Sequence, residues 1–123
     1  MARHNQYGSI GEKYAVEVLT GIGLNIIDTN VAIGRYEIDI VATEGNTLVF
    51  VEVKSRANLP SALEVEEIIS LNKQRHILSA VDGYLQSCTV NYEDIRIDYF
   101  FVNDNNTKAL EHLHIRNALM PFI

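Results

Sequence analysis

Gly45-Asn46 lies between two runs rich in alternating β-branched and polar residues, Tyr36 to Thr43 and Thr47 to Ser55. A two-residue loop of this kind between such runs is a hairpin signal, and it constrains everything around it. With that loop Glu44 pairs with Thr47, Asp39 lies directly across from Glu52, and Glu37 lies across from Lys54. Successive side chains on a strand point to opposite faces, so Ile38, Ile40, Ala42, Val49, Val51 and Val53 are expected to share one apolar face. The other face gathers Glu37, Asp39, Glu52 and Lys54 at one end, with Val41 and Phe50 nearer the turn. A four-residue loop gives the same pairing. A three-residue loop would set Asp39 against a valine and mix the faces, so the even-length loop fits the pattern.

The remaining elements follow from periodicity. Tyr7, Ile10, Tyr14, Ala15, Val18 and Leu19 recur at helical spacing and Gly21 and Gly23 follow, which predicts an amphipathic helix from about Gln6 to Thr20. Asn25 to Ile33 reads as a strand. Ser70 can cap a second helix running to about Ser87, with Leu71, Leu78, Val81 and Leu85 as its buried stripe. Two late strands are expected near Arg96 to Val102 and Leu110 to Ile115, and Asn103 to Thr107 reads as a polar loop. The order of helix, three strands, helix and two strands suggests an α/β fold, a central mixed sheet flanked by helices.

The opposed carboxylates carry the chemistry. Directly opposed residues have Cβ atoms about 4.5–5.5 Å apart, and like charges there destabilise a sheet unless something neutralises them. Asp39 and Glu52 therefore call for a cation. Two hard oxygen ligands with room for waters suit Mg²⁺, with Mn²⁺ as its substitute. Lys54, on the same face, could orient an attacking water or stabilise charge developing on a phosphate. The plainer reading is a solvated sheet face, on which Glu37 and Lys54 form a cross-strand ion pair worth less than about 1 kcal/mol. The like-charge pair weighs toward a functional site.

Composition sets bounds. With 123 residues, 47% of them hydrophobic and 21% charged, the sequence suits one globular domain, 1–123, with a real core. No signal-peptide stretch opens it, and no run approaches the roughly 20 apolar residues that cross a bilayer, so a cytoplasmic protein with no membrane partner is expected. Cys88 has no partner for an internal disulfide or a zinc finger and reads as a small, half-buried residue near a helix end. No Gly-rich phosphate loop is present, no nucleophilic triad is supported around His4 or His76, and no small-molecule cofactor is expected. His112 and His114 alternate on one strand face and read as boundary histidines. The net charge of −6 excludes coating of nucleic acid through bulk positive charge. Five of the ten basic residues, Arg35, Lys54, Arg56, Lys73 and Arg75, nevertheless fall in or near segments framing the carboxylates. Such a rim predicts weak, salt-sensitive contact with a few phosphates of DNA. Glu64, Glu66 and Glu67 read as a solvated face away from the motif.

Asp39, a gap of twelve residues, then Glu52-Val53-Lys54 resembles the PD-(D/E)xK, restriction-endonuclease-like superfamily. More closely, the chain is similar to the YraN-like family of bacterial proteins. That likeness is carried by Gly11-Glu12 with Ala15, Asn30, Glu37-Ile38-Asp39, Phe50 to Arg56, and His114-Ile115-Arg116-Asn117-Ala118. The resemblance implies a restriction-endonuclease-like α/β fold, Asp39 and Glu52 as Mg²⁺ ligands, the Val53 carbonyl as a further ligand, and Lys54 as the catalytic lysine. Glu12 matches the helical acid that related Holliday-junction resolvases contribute to the same site; as a plain residue it is a solvated acid favoured early in its helix by the helix dipole. Gln74 sits where some relatives place a site-facing glutamine, although Lys73 and Arg75 beside it suit an ordinary solvated face. The superfamily's proline is replaced by Ile38. Where the family usually has glycine before Glu-Ile-Asp, this chain has Tyr36, with the glycine at Gly34; the ring could hinder a duplex or stack on a base.

The leading expectation is thus an enzyme that cleaves DNA, including branched or damaged structures in repair and recombination, by Mg²⁺-assisted water attack on phosphorus. The alternative is a non-catalytic module that keeps the nuclease fold and binds nucleic acid or a protein. A plain structural adaptor would require the like-charge pair to be accidental. Cutting two strands of a junction would take two sites, so a homodimer is expected by analogy.

Overall fold

The computed structural model describes residues 5–69, 71–104 and 109–119, and the side chains of 10–69, 74–104 and 109–118. Helix α1 (Asn5–Gly21) precedes strands β1 (Asn25–Ile33), β2 (Tyr36–Glu44) and β3 (Thr47–Arg56). Helices α2 (Ala62–Ile68) and α3 (Leu71–Ser87) then lead to β4 (Asp94–Asn103) and β5 (His112–Leu119). The five strands form one sheet in sequence order, with β3 and β4 parallel and the other neighbours antiparallel. This is the α/β architecture expected, a mixed sheet flanked by helices. Among the described residues no helix is long and apolar enough to cross a membrane.

The hairpin forms in the expected register. Glu44 pairs with Thr47 and the rungs continue to Ile40 with Val51. Gly45 takes φ +61, the positive value a two-residue hairpin loop asks of its first residue. Helix α1 covers one face of the sheet through Ala15 and Leu19, which pack with Ile40, Ala42, Val49, Val51, Phe100 and Val102. Helix α3 covers the other through Ile77, Ala80 and Val81, which pack with Val41, Leu48, Phe50, Ile97, Tyr99 and Phe101. Central strands covered on both sides carry long apolar runs, as β3 and β4 do. The face bearing Val41 and Phe50 is therefore a second core, becoming polar only toward Glu52 and Lys54.

Several expectations change in detail. Ile38 packs with Val41 and Phe50 rather than with Ile40. The alternation slips across Asp39, where the β2–β3 rungs have ended and Asn30 on the other side takes a left-handed backbone, φ 52. Ile10 is 48% exposed, so the buried stripe of α1 begins later than its pattern suggests. The stripe of α3 is centred on Ile77, Ala80 and Val81, with Leu78 and Leu85 only partly buried at its sides. Helix α2 was not expected. Its start is marked by a capping box in which Ser61 accepts from the Glu64 N–H while the Glu64 carboxylate accepts from the Ser61 N–H. The cap expected at Ser70 and the side chains of Tyr7, Leu71 and Lys73 lie outside the described residues, as does most of the polar loop. Asn103 belongs to β4, where its side chain accepts from the Glu111 N–H.

Gly11 sets the closeness of α1 to the sheet. A Cβ there would stand 2.7 Å from Ser55 Oγ, so any larger residue would make the Ser55 hydroxyl or the helix give way.

A buried charge anchors β4 on the α1 side. Asp98 is fully buried and accepts from Arg96 Nε at 2.9 Å, Arg96 Nη2 at 3.2 Å and the Asn117 N–H at 2.8 Å, with His114 Nε2 also 2.8 Å away. Burial pushes its pKa up, but the hydrogen bonds from His114, Arg96 and Asn117 outweigh that and hold it below its ordinary value. Glu44 bridges Arg96 and Arg116, each at 2.7 Å. The His114 to Ala118 segment owes its pattern to this cluster: the β4–β5 register shifts between Ile97 and Tyr99, and Asn117, with φ 54, turns its N–H onto Asp98.

Because the pKa of Asp98 is depressed in the fold, its stabilising contribution is present above the unfolded value of 3.8 and is lost as pH falls through the folded one. Asp98→Ala removes the acceptor shared by Arg96 and the Asn117 N–H, Arg96 keeping Glu44, and is expected to cost roughly 3 kcal/mol near neutral pH. Urea titrations across acidic pH should show the wild-type advantage shrinking below about pH 4.

Candidate functional site

The site forms where β2 parts from β3. Beyond the rung of Ile40 with Val51, the N–H of Val53 is taken by the Asp39 carboxylate, Oδ2 accepting at 2.8 Å, instead of by a main-chain carbonyl of β2. The N–H and C=O of one strand residue point to the same side, so the Val53 carbonyl faces the same gap as its N–H. Asp39 is thereby fixed against the backbone of the Glu-Val-Lys segment and not left on a solvated face.

Three carboxylates meet electrically at Asp39. Burial pushes its pKa from 3.8 up to about 8; the charge of Glu52 adds to the rise, the Val53 N–H opposes it, and Glu12 and a hydrogen bond with Glu52 raise it further. A carboxyl that is partly desolvated beside other carboxylates is held in its protonated form, and this is the direction at Asp39. Glu12 reaches the site from α1 and accepts from Asn30 Nδ2 at 2.8 Å. Asn30 itself stands across from Asp39, between the rungs of Thr29 with Ile40 and Val31 with Ile38. Asp39, Glu52 and Glu12, the acids singled out by the sequence, are thus neighbours, and Asn30 joins them through Glu12.

Lys54 pairs with Glu52, Nζ to Oε2 at 3.3 Å, and not with Glu37 as the cross-strand pattern suggests. Glu37, Glu52 and Lys54 line an open cleft of about 430 Å³ together with Tyr36, Arg56, Ile68, His76, Ile77 and Tyr99. Tyr36 and His76 are stacked, ring centroids 4.8 Å apart and planes 25° from parallel. Tyr99 lies beside Glu52 because β3 and β4 pair in parallel; its hydroxyl is pushed up to about 12 by burial and by the Glu52 charge. His76 and Tyr99 were not expected here: neither lies in a local motif, and only the packing of α3 and the parallel rung bring them in.

The expected basic rim is distributed unevenly. Arg56 lines the cleft, Arg35 is exposed in the β1–β2 turn and Arg75 is exposed on α3 beside His76. Gln74 is directed elsewhere. Its Nε2 donates to the Ile69 carbonyl at 2.5 Å, and it lines a separate hollow with Val65, Glu66, Ile69, Ile115 and Ala118. Glu64, Glu66 and Glu67 are exposed, as expected, and Cys88 is half-buried just after α3. His112 and His114 both lie against Phe100, at 5.0 and 5.6 Å, on the α1 side of the sheet and not in this cleft.

The family can be read at this point. The profile described as uncharacterised protein family UPF0102 matches residues 11–102. The chain belongs to the UPF0102 family. UPF0102 proteins of Dehalococcoides mccartyi, Bacteroides thetaiotaomicron and Flavobacterium psychrophilum are each 36% identical to it. Those alignments cover 91%, 98% and 99% of this chain and 91%, 98% and 100% of the relative, respectively. This is the YraN-like family expected from the residues. The UPF0102 match takes in Glu12, Asn30, Asp39 and Glu52 to Lys54, and leaves β5 outside. Among solved structures, Pyrococcus furiosus SfsA in complex with Ca²⁺ is similar at a TM-score of 0.36 and 15% identity, over 89% of this chain and 62% of that one, too slight a likeness to carry an argument.

The raised pKa of Asp39 has a measurable sign. Between 3.8 and about 8 the folded protein holds a proton that the unfolded chain has released, so stability without metal should fall as pH rises through that window. Asp39→Asn removes the titrating group. Urea unfolding in a chelator should show the variant gaining on the wild type between about pH 5 and about pH 8; parallel curves would contradict the shift.

Proposed function

We propose that this UPF0102 protein is a metal-dependent endonuclease that hydrolyses phosphodiester bonds of DNA, with Asp39, Glu52 and Lys54 at its centre. The observation that carries this reading is Asp39, tied to the Val53 N–H where β2 parts from β3 and close enough to Glu52 for that charge to push its pKa up, a pair of hard oxygen donors whose repulsion a divalent cation would relieve. Among the described residues no group of three or more His, Cys, Asp or Glu side chains is placed to hold a metal ion, so the proposed site draws on two carboxylates. That donor set fits Mg²⁺, which keeps several waters and binds through one or two carboxylates, and fits zinc poorly. Asp39, Glu52 and the Val53 carbonyl would hold the ion, with Mn²⁺ as a substitute. When bound, it would supply charge neutralisation at the phosphate and an activated water.

The chain's own groups do the rest. The Val53 N–H orients Asp39, and the 3.3 Å contact with Glu52 directs Lys54 into the cleft, where its ammonium can hold a phosphate oxygen. Asn30 holds Glu12 toward Asp39. Arg56 at the cleft edge, with Arg35 exposed next to Tyr36 and Arg75 exposed next to His76, gives a few phosphate contacts on a chain of net charge −6, so DNA binding is expected to be weak and salt-sensitive. Work on branched or damaged DNA in the cytoplasm belongs to the same proposal, as does a homodimer that would present two such sites to a junction.

Titration calorimetry with Mg²⁺ and Mn²⁺ tests the reading. Wild type should bind, and Asp39→Asn and Glu52→Gln should each lose binding while remaining folded. Lys54→Met should keep the metal and lose roughly 10²–10³-fold in cleavage of flap, junction or single-stranded DNA. If wild type binds neither ion even with DNA present, the enzyme reading fails and a non-catalytic binding module takes its place.

A further inference from the structure

The cleft has one wall that metal chemistry does not use. Tyr36, half-buried at the start of β2, lies face to face with His76, exposed on α3, and both border the cleft that holds Glu52 and Lys54. The volume of about 430 Å³ falls in the range of pockets that hold one small ligand, roughly 300–1,000 Å³. Its described lining sets two cations, Lys54 and Arg56, beside two carboxylates, Glu37 and Glu52, which with a bound cation leaves room for one or two phosphates and too little positive charge to track a duplex backbone. Ile68, Ile77 and Tyr99 supply an apolar floor beside the aromatic pair.

A ring can stack on a base only where a face of that base is open. In a duplex both faces are covered by neighbouring base pairs, so such contact selects a single-stranded or extruded nucleotide. We propose that the Tyr36–His76 pair is a stacking wall for one unpaired base of a DNA strand whose adjacent phosphate lies at Lys54. This rests on the nuclease reading and narrows its substrate class to DNA with an unpaired nucleotide at the cut. The imidazole edge of His76 adds a donor or acceptor beside the stacked base.

Equilibrium binding of a short single strand carrying 2-aminopurine, and of the blunt duplex of the same sequence, tests the proposal with Ca²⁺ in place of Mg²⁺ to slow cleavage. Wild type should prefer the single strand and quench the probe. His76→Ala, at an exposed position, and Tyr36→Ala should each weaken single-strand binding by about 5- to 150-fold, with Tyr36→Phe close to wild type and duplex binding unmoved. Mn²⁺ titration of the same proteins gives the second readout, and neither variant should change it. Equal affinity for the two DNA forms, or single-strand affinity indifferent to His76→Ala, overturns the stacking wall while metal binding leaves the nuclease reading intact. Wild type that binds no metal overturns the nuclease reading, whatever the base dependence.

Discussion

The hydrogen bond from the Val53 N–H to Asp39 stands where the β2–β3 pairing ends, and the arrangement of the site follows from it. A buried N–H must find an acceptor, and here the acceptor is a carboxylate instead of the next strand's carbonyl. Substituting a side chain for a rung separates the two strands without leaving that donor unsatisfied. It also brings an acid into a half-buried position that only the fold could make tolerable. The separation exposes a stretch of β3 edge, and Glu52, Lys54 and the Val53 carbonyl occupy that stretch. Asn30, with its left-handed backbone across from Asp39, makes the matching irregularity on the β1 side and passes the constraint on to Glu12.

Burial and repulsion at Asp39 act against the stability of the ion-free protein, whereas the Asp98 cluster acts for it. The two aspartates differ in their company. Asp98 receives a guanidinium, an imidazole and a main-chain N–H, a nearly complete set of donors. Asp39 receives one N–H and faces two other acids. A sheet that satisfies one buried carboxylate so fully and leaves the other short of positive partners separates an anchoring role from one suited to binding a cation.

What was legible in the sequence is what is local. The Gly45-Asn46 loop and the alternation on either side specified the register as far as the rung of Ile40 with Val51, and that register aims Asp39 and Glu52 at each other just beyond it. The family resemblance added Glu12. Ile38 was assigned to the wrong face because alternation assumes an unbroken pleat, and the pleat breaks at the very residue of interest. Helix α2 has a capping box at Ser61 to Glu64 that is local and readable in the sequence. His76, Tyr99 and Asp98 were beyond reach for a different reason. Their roles depend on a parallel pairing of β3 with β4 and on the packing of α3, contacts between segments far apart in the chain that no local pattern encodes.

Strand β4 carries Asp98 toward α1 and Tyr99 toward α3, one residue apart. A slip of the strand by one position would exchange the faces, pushing a charge into an apolar cluster and withdrawing the ring beside Glu52. The donors gathered around Asp98 therefore act as a register lock for the opposite side of the sheet. The cleft keeps its floor because a carboxylate on the reverse face can be satisfied in only one alignment.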